Sequence, residues 1–309
     1  MKKQKKIPAL RRRITAGIFI IIGLALVAAL GVGFALSRVT YVERVTLLLA
    51  DLPEQLAGTT ILYISDVDMV GLSGPRGTAA LFDKLEQLHP DILLLGGDYA
   101  NPSLMDRING EADDEVLAGK RRSLFSALAD FEAPLGKYAV AGEHDGNALA
   151  EELALGGIRL IKDETVDISA GGVRLILAGL GAYSGGLSGA SQQASALRSD
   201  DCVIAAAHNP ATVSSILTSE AADGGPWADV VLTGHTHGGQ VTLNGRSMLK
   251  LTENETRYPT GWSKESGTFV LVSQGLGCEG LNMRLGTHST VHLITLRRAQ
   301  AAFQFEPQN

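Results

Sequence analysis

Five short apolar runs in this chain each end in a carboxylate or an imidazole, and no other feature narrows the possible folds as much. Ile61-Leu62-Tyr63-Ile64 runs into Ser65-Asp66-Val67-Asp68, Ile92-Leu93-Leu94-Leu95 into Gly96-Gly97-Asp98, and Tyr138-Ala139-Val140 into Gly142-Glu143-His144-Asp145. Val203-Ile204-Ala205-Ala206-Ala207 is followed by His208-Asn209-Pro210, and Val230-Val231-Leu232 by Gly234-His235-Thr236-His237-Gly238-Gly239. Strands buried on both faces read as continuous Val/Ile/Leu runs, and in open α/β sheets ligands collect beyond the carboxyl ends of the strands. The pattern therefore predicts an α/β fold in which one sheet edge gathers all five endings. Carboxylate and imidazole together are the donors that hard or borderline divalent cations take.

From Thr60 onward, strand-like runs alternate with helix-like segments without a break, so the reading is one domain over residues 59–296 with a tail at 297–309. Ahead of it the composition changes. Residues 1–13 hold Lys2, Lys3, Lys5, Lys6, Arg11, Arg12 and Arg13 and no acid, and residues 14–36 carry no charge. A stretch of that length crosses about 30 Å of hydrocarbon as a helix and exceeds the apolar core of a cleaved signal. It reads as a membrane anchor with residues 37–58 as a linker and edge strand. The flanking cations put the amino terminus in the cytoplasm and the domain outside a cell membrane. Signal cleavage near Ala29-Leu30-Gly31 is the alternative. Without the tail's seven cations, 20 basic residues face 33 acidic ones, which disfavours nucleic acid as a partner. Cys202 and Cys278 match no zinc spacing, and a disulfide between them is possible but has no support in the sequence.

Leu81, Leu85 and Leu88 fall at helical spacing within 76–89, closed by Pro90; residues 118–131 give a second amphipathic stretch, with shorter helices at 147–155 and 212–217. Strands are expected at 46–49, 158–161, 173–177, 201–207, 229–232, 240–243, 268–273 and 290–296. Residues 99–117, 184–200 and 244–267 read as loops. The third carries Arg246, Arg257, Tyr258 and Trp262 directly after the Gly-His-Thr-His turn, which makes Arg246 and Arg257 the candidates for substrate contact.

Asp66 and Asp68 are two apart, so an extended strand end turns both to one side. Gly96 and Gly97 let the backbone approach closely before Asp98, freeing that carboxylate to bridge two ions. Two ions about 4 Å apart can clamp the oxygens of a phosphoryl group during in-line attack. Taken singly, each residue has a plainer role: an Asp after a strand is usually a cap, and a single His is usually a satisfied core residue. His89, His288 and His292 fit the plainer role, whereas His144, His208, His235 and His237 all follow strands of one polarity.

At this point the chain resembles the calcineurin-like metallophosphoesterases, whose blocks run Asp-x-His, Gly-Asp, Gly-Asn-His-Asp, His and Gly-His-x-His. Gly234-His235-Thr236-His237-Gly238-Gly239-Gln240, with Ser273-Gln274-Gly275-Leu276-Gly277, Met283-Arg284 and Val291 to Leu296, is similar to the membrane-anchored bacterial branch. The resemblance implies a four-layer α/β/β/α sandwich and a two-metal site. Asp66, Asp98 and His237 would hold one ion with Asp68 completing it. Asp98, His208 and His235 would hold the other, with Glu143 at its remaining position. His144, oriented by Asp145, would stabilise the transition state or protonate the leaving oxygen. Related enzymes act on phosphate esters, some of them lipid-linked pyrophosphates.

Two positions depart from the family pattern: Asp68 stands where the family has His, and Glu143 where it has Asn. Both add an anionic oxygen, which lowers Lewis acidity and raises the pKa of bound water, so slower chemistry is expected. Oxygen in place of nitrogen also shifts the expected pair of divalent ions, drawn from Mn, Mg, Fe and Zn, toward manganese. The competing expectation is a catalytically weak or silent binding module that keeps the fold.

Overall fold

Ile61, Tyr63, Ile92 and Leu94 are fully buried, and so are Leu62, Ile64, Leu93 and Leu95 between them. A strand pleat sends alternate residues to opposite faces, so both faces of this sheet must be covered. The computed structural model describes residues 9–70, 74–170, 173–181, 187–243, 246–247, 257–258 and 260–299, and shows what covers them.

Six strands form the first sheet: β1 (Thr40–Leu49), β2 (Thr60–Ile64), β3 (Ile92–Leu95), β4 (Lys137–Ala139), β5 (Arg159–Leu160) and β14 (Ser289–Arg298), in the order β1-β14-β2-β3-β4-β5. The second holds β6 (Glu164–Ala170), β7 (Val173–Gly179), β8 (Val203–Ala206), β9 (Val230–Thr233), β12 (Gly261–Glu265) and β13 (Thr268–Val272), in the order β12-β13-β9-β8-β7-β6. Between β9 and β12 a two-stranded ribbon pairs β10 (Thr242–Leu243) with β11 (Arg246–Ser247). The central strands β2, β3 and β4 run parallel, as do β7, β8, β9 and β13.

One face, made of Ile61, Tyr63, Ile92 and Leu94, packs on Leu175, Leu177, Ile204 and Leu232, which joins the two sheets face to face. The other face, made of Leu62, Ile64, Leu93 and Leu95, lies under Phe82 and Leu85 of α2 (Gly74–Glu86), Leu124 and Phe125 of α4 (Asp114–Ala127) and Leu153 of α5 (Leu149–Ala154). Beyond the second sheet, Ile176, Val203 and Val231 meet Ala190 and Ala194 of α6 (Leu187–Ala194) and Val213 and Ile216 of α7 (Val213–Thr218). The order is helix, sheet, sheet, helix, the four layers expected. Truncating a joining residue such as Leu94 to Ala would cost about 2–5 kcal/mol, the usual price of a core cavity.

Two segments differ from the sequence reading. β1 begins six residues before the expected edge strand, because its whole length, Thr40 to Leu49, pairs in parallel with Ser289 to Arg298. Residues 99–117 are not a plain loop: they contain α3 (Leu104–Asn109) and the start of α4. Ser103 and Asp106 form a reciprocal capping box, and Gly110 ends α3 in the left-handed conformation. That capping chemistry stabilises a six-residue helix too short to show apolar periodicity. The 184–200 loop likewise includes α6, while residues 184–186, most of 244–256, the tail through Pro8 and residues 300–309 lie outside the described residues.

Ahead of β1, α1 (Ala9–Leu36) is long and apolar enough from Arg13 to Leu36 to cross a membrane. Its surface is almost wholly exposed, whereas Gly33 and, one turn on, Ser37 just past its end are buried against the domain. Cys202 and Cys278 are both buried and unpaired.

Candidate metal centre

Each parallel strand stops at the same edge, and the chain turns there by means that bulky residues tolerate poorly. Asp66, Asp68, Asp98, His235 and His237 all take positive φ, at 51°, 48°, 56°, 69° and 50°. Asp and His enter this left-handed region more readily than most residues, yet it stores strain that persists where the surroundings over-determine it, typically at functional sites. Gly97 shows how tightly the edge is packed. At its φ of 93°, a Cβ would meet Gly142 N at 2.6 Å and His208 Nδ1 at 2.8 Å.

The expected ligands converge. His208 Nε2 lies 2.9 Å from Glu143 Oε2, 3.4 Å from Asp98 Oδ2 and 3.8 Å from Asp66 Oδ1. Glu143 Oε1 reaches His235 Nδ1 at 2.5 Å. His237 Nε2 stands 3.6 Å from Asp68 Oδ2 and 3.9 Å from Asp66 Oδ1. Three sets bring their ligand atoms within 4.8 Å of one another: Glu143-His208-His235, Asp66-Asp98-His208 and Asp98-Glu143-His144. Asp98, Glu143 and His208 each belong to two of the three, so the groups merge into one continuous cluster of donors.

The donors suit cations and little else. Asp66 Oδ2, Asp68 Oδ2, His208 Nε2 and His237 Nδ1 are buried without a hydrogen-bond partner among the described residues. Buried polar atoms left unpaired cost about 1–3 kcal/mol each, so a cluster of them calls for an occupant. His208 Nδ1 sits 2.8 Å from the Gly96 carbonyl, which can only accept. That bond puts the proton on Nδ1 and leaves Nε2 as a lone-pair donor aimed into the cluster, the orientation that metal-binding imidazoles are given by their outer partners.

Electrostatics point the same way. Burial, followed by the charges of Asp98 and Asp66, pushes the Asp68 carboxyl well above the usual carboxylate range. Burial also opposes ionisation of Glu143, but the facing imidazoles of His208 and His235 outweigh it and hold that carboxyl well below its ordinary value. His235 is pushed up to about 9: burial works against the charged ring, and Glu143 more than compensates. Protons are here answering a surplus of negative charge that divalent cations would answer more strongly.

Asp145 does not touch the His144 ring. Its carboxylate accepts from the backbone N–H groups of Asp98 at 2.9 Å, Tyr99 at 3.0 Å and Gly142 at 2.9 Å. It ties the Gly-Asp turn to the Gly-Glu-His-Asp turn and so sets where His144 stands, through the main chain rather than the imidazole. Desolvation and the neighbouring Asp98 charge push its carboxyl up to about 7 despite those three donors. His144 is exposed at the mouth, with Nε2 4.0 Å from Asp98 Oδ2 and 3.9 Å from Glu143 Oε1.

The two arginines fare differently. Arg246 is exposed on the ribbon whose next residue, Ser247, donates to the Gly239 carbonyl at 3.4 Å, so it stands beside the His237 turn. Arg257 is directed away: its guanidinium pairs with Glu265 at 3.7 Å and Ser214 Oγ at 3.3 Å on the flank of the second sheet. Chain order alone put it near the turn; Glu265, paired with Thr268 at the amino end of β13, draws it off.

Two residues escaped the sequence reading of the site. Asn101 Nδ2 donates to Asp68 Oδ1 at 2.6 Å. Arg284, fully buried, donates to the carbonyls of Gly275, Gly277, His237 and His288 and so holds the turn that carries His237. An Arg inside an irregular Gly-rich segment was the available signal, since five fixed donors suit bare carbonyls.

A family model described as calcineurin-like phosphoesterase matches residues 59–239. An uncharacterised metallophosphoesterase of Aquifex aeolicus is 28% identical over 83% of this chain and 91% of its own length. A phosphodiesterase of Escherichia coli, YaeI, is 27% identical over 80% of this chain and 86% of its own. A transmembrane protein with a metallophosphoesterase domain from Danio rerio is 24% identical over 80% of this chain, which spans 55% of that protein. With the match covering more than half of the sequence and the donor set gathered at one sheet edge, the chain belongs to the calcineurin-like phosphoesterase family of metal-dependent phosphoester hydrolases.

Proposed function

We propose that this protein is a membrane-anchored hydrolase of a phosphate ester or pyrophosphate carried on a lipid, working with two divalent ions, manganese favoured. The observation that carries the reading is the overlap of the donor groups, in which Asp98, Glu143 and His208 are each shared by two. Asp66, Asp68 and His237 would hold one ion with Asp98, and His208, His235 and Glu143 the other with Asp98. When bound, such ions polarise phosphoryl oxygens and supply a nucleophilic water near neutral pH. The chain's own residues do the rest. Asp145 fixes the two turns, Arg284 fixes the His237 carbonyl, and exposed His144 reaches the open side of the cluster, where a leaving oxygen needs a proton. Arg246 stands at the rim as a cation for the substrate's charge. α1 supports anchoring, and the seven cations ahead of Ile14 support a cytoplasmic amino terminus with the domain on the far side. The acidic remainder supports a substrate other than nucleic acid.

A second reading is kept by Glu143, whose two oxygens already bridge His208 and His235, the nitrogens an ion would need. In that reading the fold binds a phosphorylated ligand without cleaving it. Metal content decides between them. The detergent-solubilised full chain, loaded with manganese, should retain two ions and hydrolyse an aryl phosphodiester, and Asp98→Asn should cut turnover at least about 10²–10³-fold, as loss of a central electrostatic group does. One ion or none with no turnover would favour the binding module, and equal rates in both chains would sink the hydrolase. Glu143→Asn should raise turnover several-fold, because one pKa unit of bound water corresponds to about 1.4 kcal/mol. No gain would mean that the carboxylate is a working ligand.

A further inference from the structure

The chain enters its first sheet at the metal edge, and this fixes which side of the domain looks at the bilayer. β14 is antiparallel to β2, so Ser289, its first residue, lies where β2 ends, and Thr40 of β1 pairs with Ser289. Thr290 N bonds the Gly275 carbonyl and Leu276 N the Ser65 carbonyl, one residue before Asp66. α1 therefore delivers the chain to the edge that gathers the metal donors.

The end of α1 is clamped there rather than tethered. Arg284 N donates to the Gly33 carbonyl at 3.0 Å, and Ser37 Oγ donates to Asn282 Oδ1 at 2.5 Å. A Cβ on Gly33 would meet Met283 Cγ at 2.5 Å, so a larger residue here would have to displace the Met283 side chain. In the same loop the Gly280 carbonyl accepts from Leu104 N, the first residue of α3, at 2.8 Å. Gly33 sits three residues inside the end of the apolar helix, about 4.5 Å along its axis. The loop 280–284 and α3 are thus held near the depth at which interfacial helices lie, about 5–10 Å into the headgroup and acyl boundary.

The surfaces held at that depth are apolar. Leu104, Met105 and Ile108 of α3 are 46%, 60% and 67% exposed, and Leu281 beside them is 51% exposed. A single exposed Leu is ordinary, but a contiguous group of this kind is not. Of the polar residues of α3, Asp106 is turned back on the protein, bonded to Ser103 and paired with Lys120 at 3.2 Å, while Arg107 and Asn109 are exposed beside the apolar group. Between α1 and α3 runs a groove of about 520 Å³, lined by Phe34, Met69, Val70 and Leu281 and reaching Asn101, which holds Asp68. Arg38, stacked on Phe34 at 4.5 Å, and Lys120 stand at the groove and give an otherwise acidic domain local cations to set against lipid phosphates.

We propose that α3 and the Leu281 loop form a second membrane contact, inserting their apolar side chains into the bilayer interface and seating the metal edge at headgroup height. The substrate class that follows is a phosphorylated lipid cleaved without leaving the bilayer, its chain entering by the groove. This rests on the reading of α1 as a membrane span and is independent of whether the metal centre turns over.

The test uses the full chain reconstituted in phosphatidylcholine and phosphatidylglycerol vesicles, with an environment-sensitive fluorophore placed singly at Met105→Cys, Ile108→Cys, Leu26→Cys and Asp130→Cys. Leu26 lies within α1, and Asp130 is exposed between α4 and β4, at the opposite sheet edge. Labels at 105 and 108 should shift to the blue and be quenched about twofold or more by shallow doxyl lipid, as interfacial depth requires, with the label at 130 unaffected. Water-like, unquenched emission at 105 and 108 with quenching at 26 would overturn the second contact and leave the anchor standing. A blue shift without lipid quenching would mean that another protein surface, such as a second copy, covers α3, and would also overturn it. Absence of quenching at 26 would remove the anchor, and the proposal with it.

Discussion

At the amino ends of the strands, Asp91 accepts from Thr60 N at 2.7 Å and Thr60 Oγ1 at 2.8 Å, and Asp229 accepts from Val203 N at 2.8 Å. At the carboxyl ends, Asp66 and Asp68 each keep a buried oxygen without any hydrogen bond among the described residues. Both edges belong to the same sheets, with Asp91 and Asp229 half-buried and Asp66 and Asp68 fully buried. At the first edge the acids close on neighbouring N–H and O–H groups, while at the second Asp66 and Asp68 also accept bonds but keep that unmet oxygen in the cluster with the imidazoles. A hydrogen-bonded carboxylate in a sheet edge is therefore no mark of a functional site here; unmet bonding capacity is. Acids that serve the fold should behave alike with and without metal, and acids that serve chemistry should not.

The largest effect is expected at Asp68. In EDTA, Asp68→Asn should stabilise the protein by about 1–3 kcal/mol, because it replaces a buried carboxyl whose ionisation burial and its neighbours oppose while leaving an oxygen for Asn101. In manganese the sign should reverse, with affinity falling by at least the roughly 10–100-fold that loss of a supporting partner costs. Melting curves in the two buffers check this; a loss of stability in both would place Asp68 with the structural acids. At Asp91, replacement by Ala should cost about 1–3 kcal/mol for the unpaired Thr60 groups, equally in both buffers. A metal-dependent difference would break the contrast from the other side.

The smallest effect is pH-dependent. Burial pushes the Asp229 carboxyl up to about 6, against a hydrogen bond from Val203 that lowers it. A raised folded-state pKa means that the native protein binds a proton the unfolded chain has lost, so this contribution is full below about pH 4 and disappears as pH rises through 6. Asp229→Asn should therefore melt like the parent at pH 4 and be more stable by about 1–2 kcal/mol at pH 8. A constant difference across that range would show that the bond to Val203, not the charge, governs the position.

Much of this was legible in residues alone, because strands buried on both faces must be apolar throughout and their ends must turn. Ile61 to Ile64 and Ile92 to Leu95 announce themselves, and Asp66 and Asp98 follow. What the sequence hid depends on partners far along the chain. Asp145 was expected to hold an imidazole, and its donors at Asp98 and Tyr99 lie 47 and 46 residues away. Arg257 follows the histidine turn in order but is drawn to Ser214 and Glu265 in space. α3 rests on capping at Ser103, Asp106 and Gly110, a signal carried by polar residues in a stretch that otherwise reads as an acidic loop. Local pattern finds elements with regular periodicity; it does not find which polar group closes on which.

Thr40 meets its parallel partner Ser289 only 249 residues later, and β14 then separates β1 from β2. During synthesis the apolar helix α1 and its strand thus emerge long before the strand that must slot in beside them, leaving β1 and the flank of β2 as open pairing edges. Contacts so distant in sequence form slowly, and an unfinished sheet invites mispairing. A ribosome still building this chain would be holding an incomplete sheet, so its maturation should lean on factors that keep exposed strands apart until the last one arrives.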